Sequence, residues 1–261
     1  MAIPLLAPVA PIPDSRARAA IKRMLRRSGL GDAARAWRRS LRQAGRHAVR
    51  VDETLVQTYL AGHPVRRLHI GCGPHLLDGW LNADYEPKAR SVLCLDATQR
   101  FPLPSDSFDT VFSEHMIEHV PHAGGAAMLS EVFRVLRPGG RVRITTPDFA
   151  FLVRLYAASA EPSSLQRAYI DWACATFVPN APQADALFVV NNYVRDWGHQ
   201  FIYDERCLRA ALISAGFVDV EARRLNESSD PALQGLENLD RMPEGFLALE
   251  SLTLEARKPA A

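Results

Sequence analysis

From residue 65 onward, short apolar runs alternate with helical patterns, and this alternation constrains the fold more than any other feature of the chain. The apolar runs that we interpret as successive strands are "RRLHIG", "WLNADYE", "SVLCLDAT", "FDTVFSEHM" and "RVRITTPD". Strands that alternate with helices form a mostly parallel sheet with helices on both faces. The sequence therefore predicts a doubly wound α/β domain.

Two helices in this region have clear predicted boundaries. The stretch "GGAAMLSEVFRVL" is a helix that "RPGG" ends, because Pro and Gly stop helices. Its apolar face carries Met128, Leu129, Val132, Phe133 and Leu136. The stretch "YDERCLRAALISAG" is typical of a helix that begins at Asp204 and closes at Gly216. The last two predicted strands are "FVDVEARRL" and "LALESLTLEA".

Residues 149–200 interrupt the alternation with aromatic and polar patches. An insertion between a fifth strand and its following helix lies over the carboxyl edge of the sheet, where open α/β folds bind ligands. We therefore expect a cap or substrate-recognition segment. A helical insertion that serves only packing is the alternative, because aromatic stripes often belong to a core.

The first 50 residues differ in charge from the rest of the chain. They hold twelve Lys or Arg against two Asp, although the 261-residue chain has a net charge of only +2. We predict a disordered tail over 1–13, a basic helical extension over 14–62 and the main domain over 63–261. Residues 14–50 are typical of an extension that packs on the main domain or a partner, and such a segment can also contact an acidic membrane surface. Nucleic acid is a less favoured partner.

Cysteine spacing and hydropathy indicate the cellular compartment in which the protein is expected. The four cysteines form no CxxC pair, and no run of about 18 apolar residues occurs. A small number of scattered cysteines is typical of a reducing environment, so we expect a cytoplasmic protein.

A strand leads directly into Gly71-Cys72-Gly73, and glycine lets backbone approach a ligand because it has no Cβ. The dinucleotide fingerprint needs a third glycine and an acid about 20 residues further on. Here Pro74 follows the loop, and Asp84 comes too early for that pattern. Asp84 ends the second strand and Asp96 the third. These features describe a nucleoside site without a phosphate cradle.

The whole run from "LHIGCGP" through "NADYE" and "LDATQRFPLPSDSFDTVFSEHMIEHV" to "EVFRVLRPGGRVRITTPD" resembles the class I S-adenosylmethionine-dependent methyltransferases. It is most similar to their small-molecule branch, of methyltransferase type 11, over residues 66–148. The resemblance implies S-adenosyl-L-methionine as cofactor. It also implies a Rossmann-like seven-stranded sheet that is mostly parallel with an antiparallel last strand, and "LESLTLEARK" is placed to be that strand.

The resemblance implies a set of cofactor-binding residues: Gly71, Cys72, Gly73, Asp84, Asp96, Ala97, Ser113 and Glu114. The glycines would border the methionine part, Asp84 the ribose, Asp96 the adenine, and the end of the fourth strand the sulfonium. His69 departs from the family, which commonly has an acid there. His75 stands where the family usually has a small residue.

The histidines near the fourth strand allow a different interpretation. His115-x-x-Glu118-His119 satisfies the H-x-x-E-H arrangement of inverted zinc proteases. That motif belongs inside a long helix, whereas here a strand precedes it and Pro121 follows it closely. We therefore expect no metal site, and the zinc protease is the least favoured alternative.

The predicted activity is transfer of a methyl group to a small-molecule or glycan-type acceptor, at oxygen or nitrogen, by in-line displacement. His119 and His199 are the candidate catalytic residues, because a neutral imidazole can take the acceptor's proton. Either could instead be a structural histidine. Trp197, His199 and Tyr203 are the candidate substrate-binding residues. The alternatives are an RNA methyltransferase that uses the basic arm and a non-catalytic nucleoside-binding module.

Overall fold

A computed structural model describes residues 50–260, and the predicted tail 1–13 and residues 14–49 of the predicted extension lie outside them. The strands are β1 Arg67–Ile70, β2 Leu81–Asp84, β3 Leu93–Cys94, β4 Phe108–Glu114, β5 Leu136–Pro147, β6 Val218–Arg223 and β7 Ser251–Arg257. They form one sheet in the order β3-β2-β1-β4-β5-β7-β6. The pairs among β1 to β5 are parallel, and β7 is antiparallel to both of its neighbours. The predicted Rossmann-like sheet with an antiparallel last strand is confirmed.

The α-helices of the described residues are α1 Val51–Gly62, α2 His122–Val135, α3 Phe149–Ala157, α4 Ser164–Phe177, α5 Ala186–Arg195, α6 Glu205–Ser214 and α7 Phe246–Glu250. Helix α6 begins after Asp204, whose side chain accepts a hydrogen bond from the amide of Cys207 at 2.7 Å, as its sequence predicts. Across residues 50–260, every helix is too short or too polar to cross a membrane.

Helix α1 packs on the main domain, although the sequence assigned residues 51–62 to the basic extension. Its Val56 and Tyr59 are buried in the principal hydrophobic core. The Tyr59 hydroxyl also accepts a hydrogen bond from the amide of Arg67 at 2.8 Å and donates to the carbonyl of Gly79 at 3.0 Å. In the structure the compact unit begins at Val51 rather than at residue 63, because these buried contacts tie the helix to β1.

Two predicted boundaries shift. Strand β5 begins at Leu136 instead of at Arg141, because Leu136 is already extended and pairs with Phe108 of β4. The stretch 247–250 was predicted to be strand but lies in helix α7. Phe246, Leu247 and Glu250 have helical spacing, and the helix buries them before β7 starts.

Helices α3, α4 and α5 of the predicted insertion build a second hydrophobic cluster with α7. Each of the three begins at a side-chain cap: Asp148 for α3, Ser163 for α4 and Asp185 for α5. Tyr169 of α4 and Tyr193 of α5 are fully buried within this cluster. The segment therefore has its own packed interior.

Candidate functional site

A cavity of about 320 Å³ lies where β4 and β5 reach their carboxyl ends. We call it the edge cavity. Its aromatic wall comes from the 149–200 segment and consists of Tyr169, Trp172, Phe177, Tyr193 and Trp197. Its polar groups are His115, Glu118, His119, His199, Arg241 and Glu250. Parallel α/β sheets bind ligands at this edge, and a mainly apolar cavity with a few convergent polar groups is the usual form of a small-molecule site.

Glu118, His119 and His199 stand together in the edge cavity. Their candidate ligand atoms lie within 4.8 Å of one another. The His119 Nε2 to Glu118 Oε1 distance is 3.8 Å, and the His119 and His199 ring centroids are 4.9 Å apart. Glu118 and His119 lie on a 3₁₀ turn, Ile117–His119, rather than inside a helix. This geometry disagrees with the helical motif of an inverted zinc protease.

Hydrogen bonds to backbone carbonyl groups hold His199 and its loop in place. The amides of Gln200 and Phe201 donate to the carbonyl of Glu118 at 2.8 and 3.2 Å. The Gln200 side chain donates to the carbonyl of His119 at 2.7 Å, and His199 Nδ1 donates to the carbonyl of Tyr193 at 2.8 Å. These hydrogen bonds hold the loop after α5 against the turn after β4. They thereby fix the position of the His199 ring beside that turn.

Burial controls the charge state of these polar groups. It raises the pKa of Glu118 to about 7, although a hydrogen bond from Thr146 acts in the opposite direction. Burial also lowers the pKa of His119 and His199 below the usual value, and lowers that of His115 far more. The histidines are therefore neutral at pH 7 and keep a lone pair available for a proton or a metal ion.

A second buried carboxyl group, that of Glu250 at the end of α7, also lines the edge cavity. Both Tyr169 and Tyr193 donate hydrogen bonds to its Oε2, and the two hydroxyls lie 2.9 Å apart. Burial raises the pKa of Glu250 and holds those of the tyrosines well above the usual value. This cluster links α4, α5 and α7 through polar contacts at the wall of the cavity.

Arg241 supplies the positive charge at the edge cavity. Its Nη1 lies 3.7 Å from Glu114 Oε1, at the carboxyl end of β4. Burial raises the pKa of Glu114, while the charge of Arg241 opposes that shift. Glu114, one of the predicted cofactor residues, is therefore linked to the edge cavity through Arg241.

The predicted cofactor loop follows β1 directly. Gly71 and Gly73 both have positive φ, 75° and 51°. A Cβ at Gly71 would overlap the side chain of Met116, whereas a Cβ at Gly73 would meet open space. The amide of Gly73 donates to Asp84 Oδ2 at 2.9 Å, and the amide of Glu86 donates to Asp84 Oδ1 at 2.7 Å. Asp84 thus fixes the loop across the ends of β1 and β2.

The remaining predicted cofactor residues lie at or just beyond the carboxyl ends of β1, β3 and β4. Asp96 Oδ1 accepts from the amide and hydroxyl of Thr98 at 2.9 and 2.7 Å, and Ala97 is buried beside it. Ser113 Oγ is buried with no hydrogen-bond partner among the described residues. Cys72 is buried, and burial raises the pKa of its thiol to about 12, so the thiol is not a nucleophile.

The two histidines that depart from the family have structural partners. His69 is buried, and its Nδ1 donates to Asn82 Oδ1 at 3.1 Å, while Asn82 bonds the backbone of Leu77 and Trp80. His75 Nε2 donates to the carbonyl of Leu236 at 3.2 Å. Both side chains connect the loop region to neighbouring chain segments.

The candidate acceptor residues divide into two groups. His119, His199 and Trp197 all line the edge cavity. Tyr203 does not line it; it is buried in the principal core, with its hydroxyl against Gly125 of α2. Sequence reasoning missed Arg241 and Glu250, which come from the chain after β6. No spacing pattern links them to β4, because only the folded chain brings them there.

Comparisons with known proteins give one match to a protein family. The family described as a methyltransferase domain matches residues 68–144. No curated protein sequence matches the chain.

Solved structures that are similar to this chain share little sequence with it. A SAM-dependent methyltransferase from Archaeoglobus fulgidus is 16% identical, covering 84% of this chain and 94% of that chain, with a TM-score of 0.44. One from Mesorhizobium loti is 19% identical, covering 77% and 96%, with a TM-score of 0.42. Phosphoethanolamine N-methyltransferase 2 of Haemonchus contortus, in complex with S-adenosyl-L-methionine, is 17% identical with a TM-score of 0.38. That match covers 75% of this chain and only 49% of the Haemonchus protein.

Proposed function

We propose that this chain, whose residues 68–144 match a methyltransferase domain, is a class I S-adenosylmethionine-dependent methyltransferase, and we propose the kind of acceptor that it methylates. The acceptor is a hydroxyl or amine of a small polar molecule, of which a glycan is one kind. The observation that carries the proposal is the edge cavity, where imidazole, carboxyl and aromatic side chains converge at the ends of β4 and β5.

Features of the preceding strand ends support cofactor binding next to this cavity. The open space at the missing Cβ of Gly73 allows a ligand to approach the backbone, and the unpartnered hydroxyl of Ser113 is available to a ligand. Asp84 would bind the ribose and Asp96 the adenine. The cofactor, when bound, supplies a methyl group already activated on a sulfonium. The protein then has to orient the acceptor and exclude water.

The edge cavity suits an acceptor that combines an apolar surface with a polar reacting group. Trp172, Phe177 and Trp197 offer aromatic faces that pack on a ring or carbon skeleton. His119 and His199 are neutral at pH 7, so each can accept a hydrogen bond from a hydroxyl or amine. We infer that this pair positions the reacting atom, and that residues 149–200 select the acceptor.

Two measurements test the proposal. Calorimetry with S-adenosyl-L-methionine should give heat with the native protein and much weaker binding with Asp84→Ala. The native protein, incubated with methyl-labelled cofactor and a panel of small hydroxyl and amine compounds, should transfer label to at least one of them. No binding of the cofactor, or transfer only to RNA or protein, would contradict the proposal. Mass spectrometry of ligands that co-purify with the protein identifies which acceptors belong in the panel.

We also propose that residues 14–50 act as a basic helical extension that contacts a partner or an acidic membrane surface. Their excess of Lys and Arg supports this. A cytoplasmic location is part of the proposal, and the four scattered cysteines support it.

A further inference from the structure

We propose that Glu118, His119 and His199 bind a divalent cation, Zn²⁺, inside the edge cavity. The inference rests on the proposed function, because the ion would receive the acceptor's hydroxyl. It changes the role of the two histidines from hydrogen-bond acceptors to metal ligands. It also narrows the acceptor to a hydroxyl compound.

The donor set fits the ion. Two imidazole nitrogens and one carboxylate oxygen are a known ligand set of catalytic zinc, which keeps a further position open for substrate. The three candidate atoms lie within 4.8 Å of one another, and the Glu118 Oε1 to His119 Nε2 distance is 3.8 Å. Ligand atoms around tetrahedral zinc are about 3.3 Å apart, given bonds of about 2 Å. The three atoms therefore need to approach one another by at most about 1.5 Å to reach that spacing.

Glu118 gives an independent reason to expect a ligand. Its side chain is completely buried, yet Oε1 has no hydrogen-bond partner among the described residues. A buried carboxyl oxygen without a partner destabilises the fold, because it loses its hydrogen bonds to water and forms none within the protein. Its Oε2 accepts a hydrogen bond from Thr146 Oγ1 at 3.0 Å, which holds the carboxyl group so that Oε1 faces His119. A cation at Oε1 would satisfy the group.

His199 is oriented as a metal ligand requires. Its Nδ1 lies 2.8 Å from the carbonyl oxygen of Tyr193, and a carbonyl only accepts, so Nδ1 carries the proton. The lone pair is then on Nε2. Zinc-bound histidines usually donate their other N–H to a carbonyl or carboxylate in this way. The loop attachment through Gln200 and Phe201 holds the ring beside His119.

The charged and imidazole groups around the proposed site, Arg241 and His115, each have a partner of their own. Arg241 also lines the edge cavity, but its guanidinium lies beside the carboxylate of Glu114 at 3.7 Å. His115 Nδ1 is 3.6 Å from Glu118 Oε1, and its Nε2 is hydrogen-bonded to Ser251 Oγ at 3.0 Å. His115 therefore lies beside the same carboxyl oxygen that would bind the ion.

The ion would activate the acceptor. A hydroxyl bound to Zn²⁺ releases its proton to water near neutral pH, because the cation lowers its pKa. The acceptor oxygen then forms a bond to the methyl carbon while the carbon–sulfur bond breaks, and that bond's electron pair stays on sulfur. The atoms and charges balance without any further reactant.

The test uses tag-free full-length protein that has been treated with a chelator. It is titrated with Zn²⁺ alone by calorimetry and with Co²⁺ alone by visible absorption, which reports the ligand field. We expect one ion per chain. Glu118→Gln and His199→Ala should each weaken binding by more than about tenfold, since even partners outside the ligand set change affinity by that much. His122→Ala, which alters an exposed histidine outside the cluster, should bind like the native protein.

Binding of S-adenosyl-L-methionine, measured on the same samples, separates the two proposals. Retained cofactor binding by Glu118→Gln shows that the variant is folded. If native protein takes up neither ion, or if both variants bind metal as tightly as native protein, the metal site is wrong. If the metal-free protein methylates a hydroxyl acceptor at the full rate, the activating role is wrong while the proposed function stands.

Discussion

The imidazole rings of His119 and His199 lie 4.9 Å apart, centroid to centroid, although the whole of α2 to α5 separates them along the chain. The contact exists because the amide of Gln200 donates to the carbonyl of Glu118 at 2.8 Å and so fastens the loop after α5 to the turn after β4. The aromatic wall of the edge cavity is carried on the same segment. Any change that loosens this attachment should therefore affect the imidazole pair and the acceptor wall together.

The first prediction concerns Trp197 and Tyr203, the two aromatic residues predicted to bind the acceptor. Trp197 lines the edge cavity, whereas Tyr203 is buried in the core outside it. Trp197→Ala should raise KM for the acceptor by up to roughly tenfold, since an aromatic contact contributes about 0.5–1.5 kcal/mol beyond the area that it buries, and about 1.4 kcal/mol is a factor of ten. Tyr203→Phe should leave that KM unchanged. Steady-state kinetics with a saturating cofactor concentration measure both, and an equal effect of the two changes would argue against the edge cavity as the acceptor site.

The second prediction separates the two glycines of the cofactor loop. Gly71→Ala should destabilise the fold strongly, because the added methyl overlaps Met116 and φ is positive. Gly73→Ala should lower the free energy of unfolding by only about 1 kcal/mol. The added methyl meets open space, so the positive φ is the only source of strain. Gly73→Ala should instead weaken cofactor binding. Chemical denaturation and calorimetry distinguish these effects.

A rescue experiment checks the stated cause for Gly71. The double variant Gly71→Ala, Met116→Gly removes both Met116 atoms that the added methyl overlaps, Cβ and Cγ, and should regain part of the stability lost by Gly71→Ala. If the double variant is as unstable as the sum of the two single changes, the overlap is not the cause.

The third prediction is a pH dependence of stability from His69. Burial lowers its pKa from the usual 6.5 to about 4, and its hydrogen bond to Asn82 only partly opposes this. Between those values the unfolded chain binds a proton that the folded chain does not. The free energy of unfolding should therefore fall as pH decreases from 6.5 to 4, by roughly 3 kcal/mol from this group.

Urea denaturation at several pH values measures that contribution. His69→Gln has no titrating ring, so its free energy of unfolding should change less over the same pH window. His122→Gln, which alters an exposed histidine, serves as the control and should follow the native curve. An unchanged slope in His69→Gln would show that another group causes the acid sensitivity.

The fourth prediction concerns Arg143 in the middle of β5. The side chain is completely buried, with Nε 2.6 Å from Glu237 Oε1 and Nη1 2.5 Å from Glu255 Oε1. It also donates to the carbonyls of Arg224 and Glu227, both at 2.9 Å. Arg143→Met should lower the free energy of unfolding by about 3–5 kcal/mol, because it leaves buried carboxylates without a partner.

The matched control for that change is Arg141→Met on the same strand. Arg141 is over a third exposed, and its Nε lies 3.6 Å from Asp230 Oδ2, so its loss should cost less than about 1 kcal/mol. Denaturation curves of both variants give the comparison. Similar losses from the two changes would mean that the buried ion network contributes little.

Local sequence patterns identified the central elements of the fold. The apolar runs of β1, β2 and β4 and the capped helix α6 are specified by neighbouring residues, so their positions could be predicted without tertiary information. Boundaries were less certain where tertiary packing decides them. Helix α7 formed where a strand was predicted, since Phe246, Leu247 and Glu250 find a buried surface on the helices of the 149–200 segment.

The sequence by itself predicted the parallel sheet with its antiparallel last strand, and its residues 68–144 match a methyltransferase domain, because glycines, acids and apolar runs at strand ends follow from local chain order. Only the tertiary structure decided which side chains share the edge cavity. Glu250 and Arg241 come from after β6, and His199 from the end of the insertion, so no spacing in the sequence relates them to Glu118. Their meeting depends on long-range hydrogen bonds and on burial against α4 and α5, which exist only once the chain has folded.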